Sequence, residues 1–221
     1  MKVFYNFFVL LLCSFIFISC KDNSSDSAED PNTLNGDTNV AVAQVGSKVT
    51  LGSVNVGGKY VNINGTLEVT KNENGVATVK LNADLSKDAS LAAFNNWIPK
   101  AYKDTSGKIS TTVKFKVTTE GIQTYFAGES PHTLIKYADN VGATYSITRS
   151  DGSTYTRKIT EKSDQDVYPY GLYLIKVTTV EQTDTRMAGI KKIVFKANHK
   201  FGLVNVAMVA DDGSTASAYL Y

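Results

Sequence analysis

The chain has 221 residues, with 23 Lys and Arg against 21 Asp and Glu. So even a balance offers no broad basic field for nucleic acid. The two cysteines, Cys13 and Cys20, both lie near the start, so the folded part has no disulfide, thiolate metal site or cysteine nucleophile.

Lys2 supplies a positive start, and Val3 to Ile18 is apolar except for Asn6 and Ser14. This run is too short to span a membrane comfortably and reads as the core of a signal peptide, residues 1–19. An uncleaved N-terminal anchor helix is the alternative. Phe17-Ile18-Ser19-Cys20 resembles a lipobox, with Phe17 standing where Leu is usual. That resemblance implies that Cys20 receives diacylglycerol after cleavage. Each buried methylene contributes about 0.8 kcal/mol, and two or more chains hold stably where one does not.

From 20 to 39 the chain is rich in Ser, Asp and Asn, and Leu34 is its one large apolar residue after Cys20. Such a segment cannot bury enough surface to fold and is expected to be a flexible tether. The Cys20-Lys21-Asp22 start resembles the surface-export signal of lipoproteins from the Bacteroidota. Asp26-Ser27-Ala28 resembles the O-glycosylation sequon of that group.

Residues 40–221 carry Val, Thr, Tyr, Ile and Phe in short alternating runs, the composition of half-buried strands. Lys59 to Ile63, Thr66 to Lys71 and Val76 to Asn82 are separated by Asn64-Gly65 and Glu73-Asn74-Gly75 and read as a three-stranded meander. Gly57-Gly58 is a turn, because neither a helix nor Lys-Ser/Thr follows it. One short helix is expected over Asp88 to Ile98, with Asp88 as N-cap and Leu91, Phe94, Trp97 and Ile98 on a shared face. Pro99 ends it. Trp97 is read as a core plug over one end or face of the sheet. Thr111 to Thr119 is a strand with Val113, Phe115 and Val117 inward and Lys114 and Lys116 outward. A subdivision of the domain would fall near 104–110.

The second half repeats hairpins with Asp-Gly tips: Val141 to Arg149 with Thr154 to Lys162, and Leu203 to Ala210 with Thr215 to Tyr221. Leu172 to Glu181 and Gly189 to Ala197 are strand-like between them. Roughly ten to twelve strands exceed what one flat sheet usually holds. The fold class is therefore mainly β: an antiparallel β-sandwich or strongly curved sheet with one short helix. Val141-Gly142-Ala143-Thr144-Tyr145, the strand of Arg157, Tyr168-Pro169-Tyr170-Gly171 and Lys200-Phe201-Gly202-Leu203-Val204 resemble the order of elements in TapB-like and related secreted proteins. This resemblance covers 139–221. It implies sheets curved around a concave face, similar to lipoprotein-carrier folds, and no particular activity.

Chemistry is mostly excluded. His132 and His199 lack a second ligand at zinc spacing, so no metal and no cofactor is expected. Ser130-Pro131-His132 has no nucleophile elbow and reads as a loop, and Asn198-His199-Lys200 as a β-arch or bulge. Glu120, Glu129, Asp139 and Glu161 are the carboxylates that a glycan-acting hydrolase would have to pair. Candidate ligand-binding residues are the aromatics at loops, Tyr125, Phe126, Tyr168, Tyr170 and Tyr173, which could stack on sugars or line an amphipathic groove. The expectation is an outer-membrane lipoprotein, surface-exposed or periplasm-facing, with a non-catalytic binding or scaffolding β domain. Its partners would be the membrane through the lipid anchor and a glycan, apolar ligand or envelope protein. A carrier of an apolar ligand in a concave sheet, or the hydrolase, are the alternatives.

Overall fold

The computed structural model describes residues 30–221 except Lys87, 126–129, Ser150, Arg186 and Tyr221, and without the side chains of Ala93, Phe94 and Trp97. The expected signal peptide and Cys20 lie outside the described residues, as does the core role expected of Trp97.

Six strands form the first half: β1 (Lys48–Val56), β2 (Lys59–Glu73), β3 (Val76–Asp84), β4 (Ile109–Val117), β5 (Gly121–Tyr125) and β6 (Pro131–Lys136). The second half holds β7 (Thr144–Thr148), β8 (Thr154–Lys162), β9 (Tyr168–Tyr170), β10 (Tyr173–Ile175), β11 (Thr178–Gln182), β12 (Ile190–Asn198), β13 (Gly202–Ala210) and β14 (Thr215–Leu220). Twelve of them make one antiparallel sheet in the order β6, β5, β4, β3, β2, β1, β14, β13, β12, β11, β8, β7, while β9 and β10 pair as a separate hairpin. The fold is thus mainly β and antiparallel, as the composition indicated.

The local rules explain most of these elements. Gly57-Gly58 and Asn74-Gly75 have positive φ at both positions, the geometry of tight hairpins, and close β1 onto β2 and β2 onto β3. Asp88 caps the expected helix by accepting from Ser90 N at 2.8 Å. The segment starts as a 3-10 turn, Ala89–Leu91, and continues as α1 (Ala92–Trp97). Leu91 is buried with Leu51, Ile63, Leu85 and Leu220, so this segment covers the sheet near its centre.

Four expectations are corrected. Asn64-Gly65 is not a turn: β2 runs through it for 15 residues. Gly65 faces inward, in line with Val61 and Ile63, and a Cβ there would stand 2.7 Å from Leu51 Cβ, at a shift in the β1 to β2 register. The glycine serves close approach and not reversal. Leu172 to Glu181 is two strands, because the chain leaves the hairpin after Ile175 and joins the main sheet at Thr178. Of Ser130-Pro131-His132 only Ser130 stays in the connection between strands, whereas Pro131 and His132 open strand β6, with His132 buried. Asn198-His199-Lys200 is a tight hairpin turn in which Asn198 Oδ1 accepts from Lys200 N at 2.7 Å and Phe201 N at 3.1 Å.

The sheet bends until its two edges meet. β6 and β7 follow each other in the chain yet occupy opposite edges, and Ile122, Leu134 and Ile135 share one cluster with Tyr145, Ile159, Val180 and Ala197. Side chains stitch this seam in place of a backbone ladder. His132 Nε2 donates to Tyr145 O at 3.0 Å, and Tyr145 Oη accepts from Lys136 N at 3.1 Å while donating to Asp139 Oδ2 at 2.7 Å. Arg157 Nη1 donates to His132 O at 3.0 Å and Thr133 O at 3.3 Å. Edge groups that would template aggregation are thereby occupied.

The seam also explains why part of the expected tether is packed. Asn32 Oδ1 accepts from Thr133 N at 2.9 Å, and its Nδ2 donates to Ser146 O at 2.8 Å, bridging β6 to β7. Leu34 is buried, and Lys116 Nζ donates to its carbonyl at 2.7 Å. Composition made 31–39 look unable to fold. It folds by lending polar groups to an existing edge. Pro31–Tyr221 is one compact unit holding every described strand and core cluster, so it carries its own core, the property of a domain able in principle to fold alone. Asp104 to Lys108 is a turn inside that unit.

Candidate functional site

Three of the five candidate aromatics come together. In the β9–β10 hairpin Tyr173 pairs with Tyr170, Leu174 with Pro169 and Ile175 with Tyr168. Tyr168 and Tyr170 pack inward on a cluster of Ile175, Val177, Val204 and Phe201, and the Tyr170 and Phe201 rings are 4.8 Å apart. Tyr173 turns outward at 69% exposure, beside Leu172 at 100% and Leu174 at 60%. A surface pocket of about 410 Å³ lies against the hairpin, lined by Tyr173, Leu174, Asp166, His199, Lys200 and Phe201 among others. Tyr125 is the last residue of β5, opposite Pro131, and lines neither cavity; burial raises its hydroxyl pKa. Phe126 lies outside the described residues.

The second cavity was not anticipated from individual residues. It measures about 110 Å³ and lies within the curve of the sheet, bounded by Val49, Leu67, Ala77, Val79 and Phe115 on one half and by Phe201 and Leu203 on the other. Its one polar side chain is Ser47, whose Oγ donates to Ala41 O at 2.8 Å. The hollow arises where small residues, Ala43, Ala77 and Gly202, stand among large ones. Water in so apolar a hollow finds few hydrogen-bond partners, so an apolar occupant would be favoured there. An engineered apolar cavity of roughly 150 Å³ stays dry and binds benzene, so this space suits a small apolar group or the end of an alkyl chain.

Two fully buried titratable groups belong to the seam. His132 and Arg157 are each 0% exposed. Burial, and then the Arg157 charge, lower His132 to about 4, partly offset by its bond to Tyr145 O. Burial lowers Arg157 to about 9, and its Nε donates to Gln182 Oε1 at 3.0 Å. These contacts hold two edges together.

The described candidate carboxylates stand outside both cavities. Glu120 is exposed in the turn between β4 and β5, Asp139 accepts from Tyr145 Oη, and Glu161 Oε2 accepts from Thr179 Oγ1 at 3.2 Å. None of these three lines either cavity, and Glu129 lies outside the described residues. Among the described residues no three His, Cys, Asp or Glu side chains gather as a metal site would need, and no helix is long and apolar enough to cross a membrane.

No family model matches the chain, and no curated protein matches it. The TapB-like resemblance of 139–221 is therefore without a matching family. Among solved structures, that of a Bacteroides fragilis protein described as exported, with a YmcC-like fold, aligns with 80% of this chain and 96% of its own at 10% identity and a TM-score of 0.44.

Proposed function

We propose that this protein is an outer-membrane lipoprotein held through Cys20, whose β domain binds a small apolar ligand or acyl-chain end inside the curved sheet. The observation that carries the binding half is the 110 Å³ cavity, lined by aliphatic and aromatic side chains from both halves of the sheet. A glycan would need free polar groups, and the one hydroxyl there is spent on Ala41 O. A hydrolase would need two carboxylates facing one cleft, and Glu120, Asp139 and Glu161 stand elsewhere. The anchoring half rests on the leader and on Phe17-Ile18-Ser19-Cys20.

Two experiments test the halves separately. Ala77→Phe on β3 and Val49→Phe on β1 each direct a ring into the cavity from a different strand. Titration of the 31–221 unit with a fluorescent fatty acid is expected to show saturable binding that each variant weakens at least tenfold, with thermal melts confirming that both remain folded. Undiminished binding by the folded variants would remove the cavity as the site. In cells, Cys20→Ala is expected to abolish lipid labelling and move the full chain out of the detergent phase; unchanged partitioning would end the lipoprotein reading.

A further inference from the structure

The β9–β10 hairpin exposes what a soluble surface normally hides. Leu172 at its tip is fully exposed, and Val167, Tyr173 and Leu174 beside it are also exposed. Single exposed apolar residues are ordinary, but a set of them together on one hairpin marks an interaction site. Stacking on a sugar would use Tyr173 alone and leave the two leucines in water. Leu172 forms the turn, the Tyr170–Tyr173 pair stands directly behind it and Leu174 faces Pro169 one step farther on, an aliphatic and aromatic mixture suited to the boundary of acyl chains and headgroups, where Tyr is enriched.

The charges around the hairpin select the same partner. Lys176 follows it in the chain, Lys196 Nζ sits 5.1 Å from the Tyr168 ring, and Lys200 lines the adjoining pocket. Against these three lysines stand Asp164 and Asp166. Basic residues beside an apolar tip favour an anionic lipid surface. Phe201 adds a functional link, because it lines both the hairpin pocket and the apolar cavity.

We propose that the β9–β10 hairpin docks on an anionic lipid surface, with Leu172 and Leu174 entering the acyl boundary, so that Phe201 is the wall between that surface and the cavity. The docking goes beyond the cavity reading and does not require it.

The probe is a vesicle of phosphatidylcholine and phosphatidylglycerol mixed with the 31–221 unit, which lacks the anchor and all cysteines. Leu172→Cys labelled with a polarity-sensitive dye is expected to shift to the blue on vesicles and to be quenched by spin-labelled lipid. The same dye at Asp212→Cys, beyond the far end of β13, is expected to do neither. Leu172→Ser with Leu174→Ser, both at exposed positions, is expected to lower vesicle partitioning at least tenfold while leaving fatty-acid binding in solution unchanged. Equal partitioning by that double variant, or a dye at 172 that stays in water or responds instead to a soluble polysaccharide, would overturn the docking. Docking by a unit that takes up no fatty acid in solution would keep this assignment and remove only the cavity reading.

Discussion

Deleting residues 215–221 is expected to leave the 31–221 unit unable to fold cooperatively. The last strand is not peripheral: β14 lies in the middle of the twelve-stranded sheet, between β1 and β13. It is the one ladder joining the first six strands to the rest, since the other junction, from β6 to β7, is made by side chains. Its register comprises four pairs with β1, Leu51 with Leu220 among them, and five with β13. Each ladder hydrogen bond nets about 1 kcal/mol, and Ala216 and Leu220 are buried with Leu51, Val54 and Leu91. Against a typical domain stability of about 5–15 kcal/mol, losing both ladders and that apolar burial removes most of the margin. Two new open edges would also be created. Far-ultraviolet circular dichroism through a thermal melt of 31–214 beside 31–221 checks this. A cooperative melt within a few degrees of the intact unit would mean that β1 and β13 can pair directly, and the central role of β14 would fall.

Sequence periodicity reached this arrangement where the physics is local. Asp-Gly and Asn-Gly tips, the alternation of Val113, Phe115 and Val117, and the Asp88 cap each depend on a few neighbouring residues, and each appears in the structure. Asn64-Gly65 misled because glycine has two uses, reversal and close approach, and only the packing of Leu51 against it decides between them. Pro31 to Asn39 misled for a related reason. Its composition lacks apolar residues, but its stability comes from Asn32 and the buried Leu34 completing an edge more than 80 residues away.

The candidate site was legible to the same extent. Tyr168, Tyr170 and Tyr173 are close in sequence and share a hairpin, so grouping them needed no knowledge of the fold. Tyr125 lies on β5 and joins no cavity. The apolar cavity is assembled from five consecutive strands, the Ala41–Ala43 turn, the start of β13 and the end of β14. Its signal in the sequence is only the recurrence of small residues at inward positions, Ala77 for example, which any core tolerates.

Arg157→Met is expected to cost about 3 kcal/mol or more, a fall in melting temperature on the order of 10 °C for a domain of this size. The side chain is fully buried, and methionine would keep most of its volume. What methionine cannot do is donate. Gln182 Oε1, His132 O and Thr133 O would each lose a hydrogen bond in a dry place, and a buried acceptor left without a partner costs about 1–3 kcal/mol. The lost Arg charge over the Phe195 ring, 5.5 Å away, adds to this. Arg157→Lys keeps the charge without the forked geometry and is expected to recover only part of the loss.

The pH dependence separates this account from a simple packing defect. In the intact protein His132 is neutral, held at about 4 by burial and by Arg157. Between that value and its ordinary 6.5 the unfolded chain binds the proton that the folded state refuses, so stability present at neutral pH is lost as pH falls from about 6.5 to about 4. Removing Arg157 removes the second of the two causes, so His132 moves back toward its ordinary value and the acid loss becomes shallower, even as the whole curve drops. Melting temperatures of both proteins from pH 7.5 to 4 measure the two effects together. A variant that melts within about 3 °C of the intact protein at neutral pH, or loses stability in acid just as steeply, would show that Arg157 fills space in the seam and does not hold its edges together.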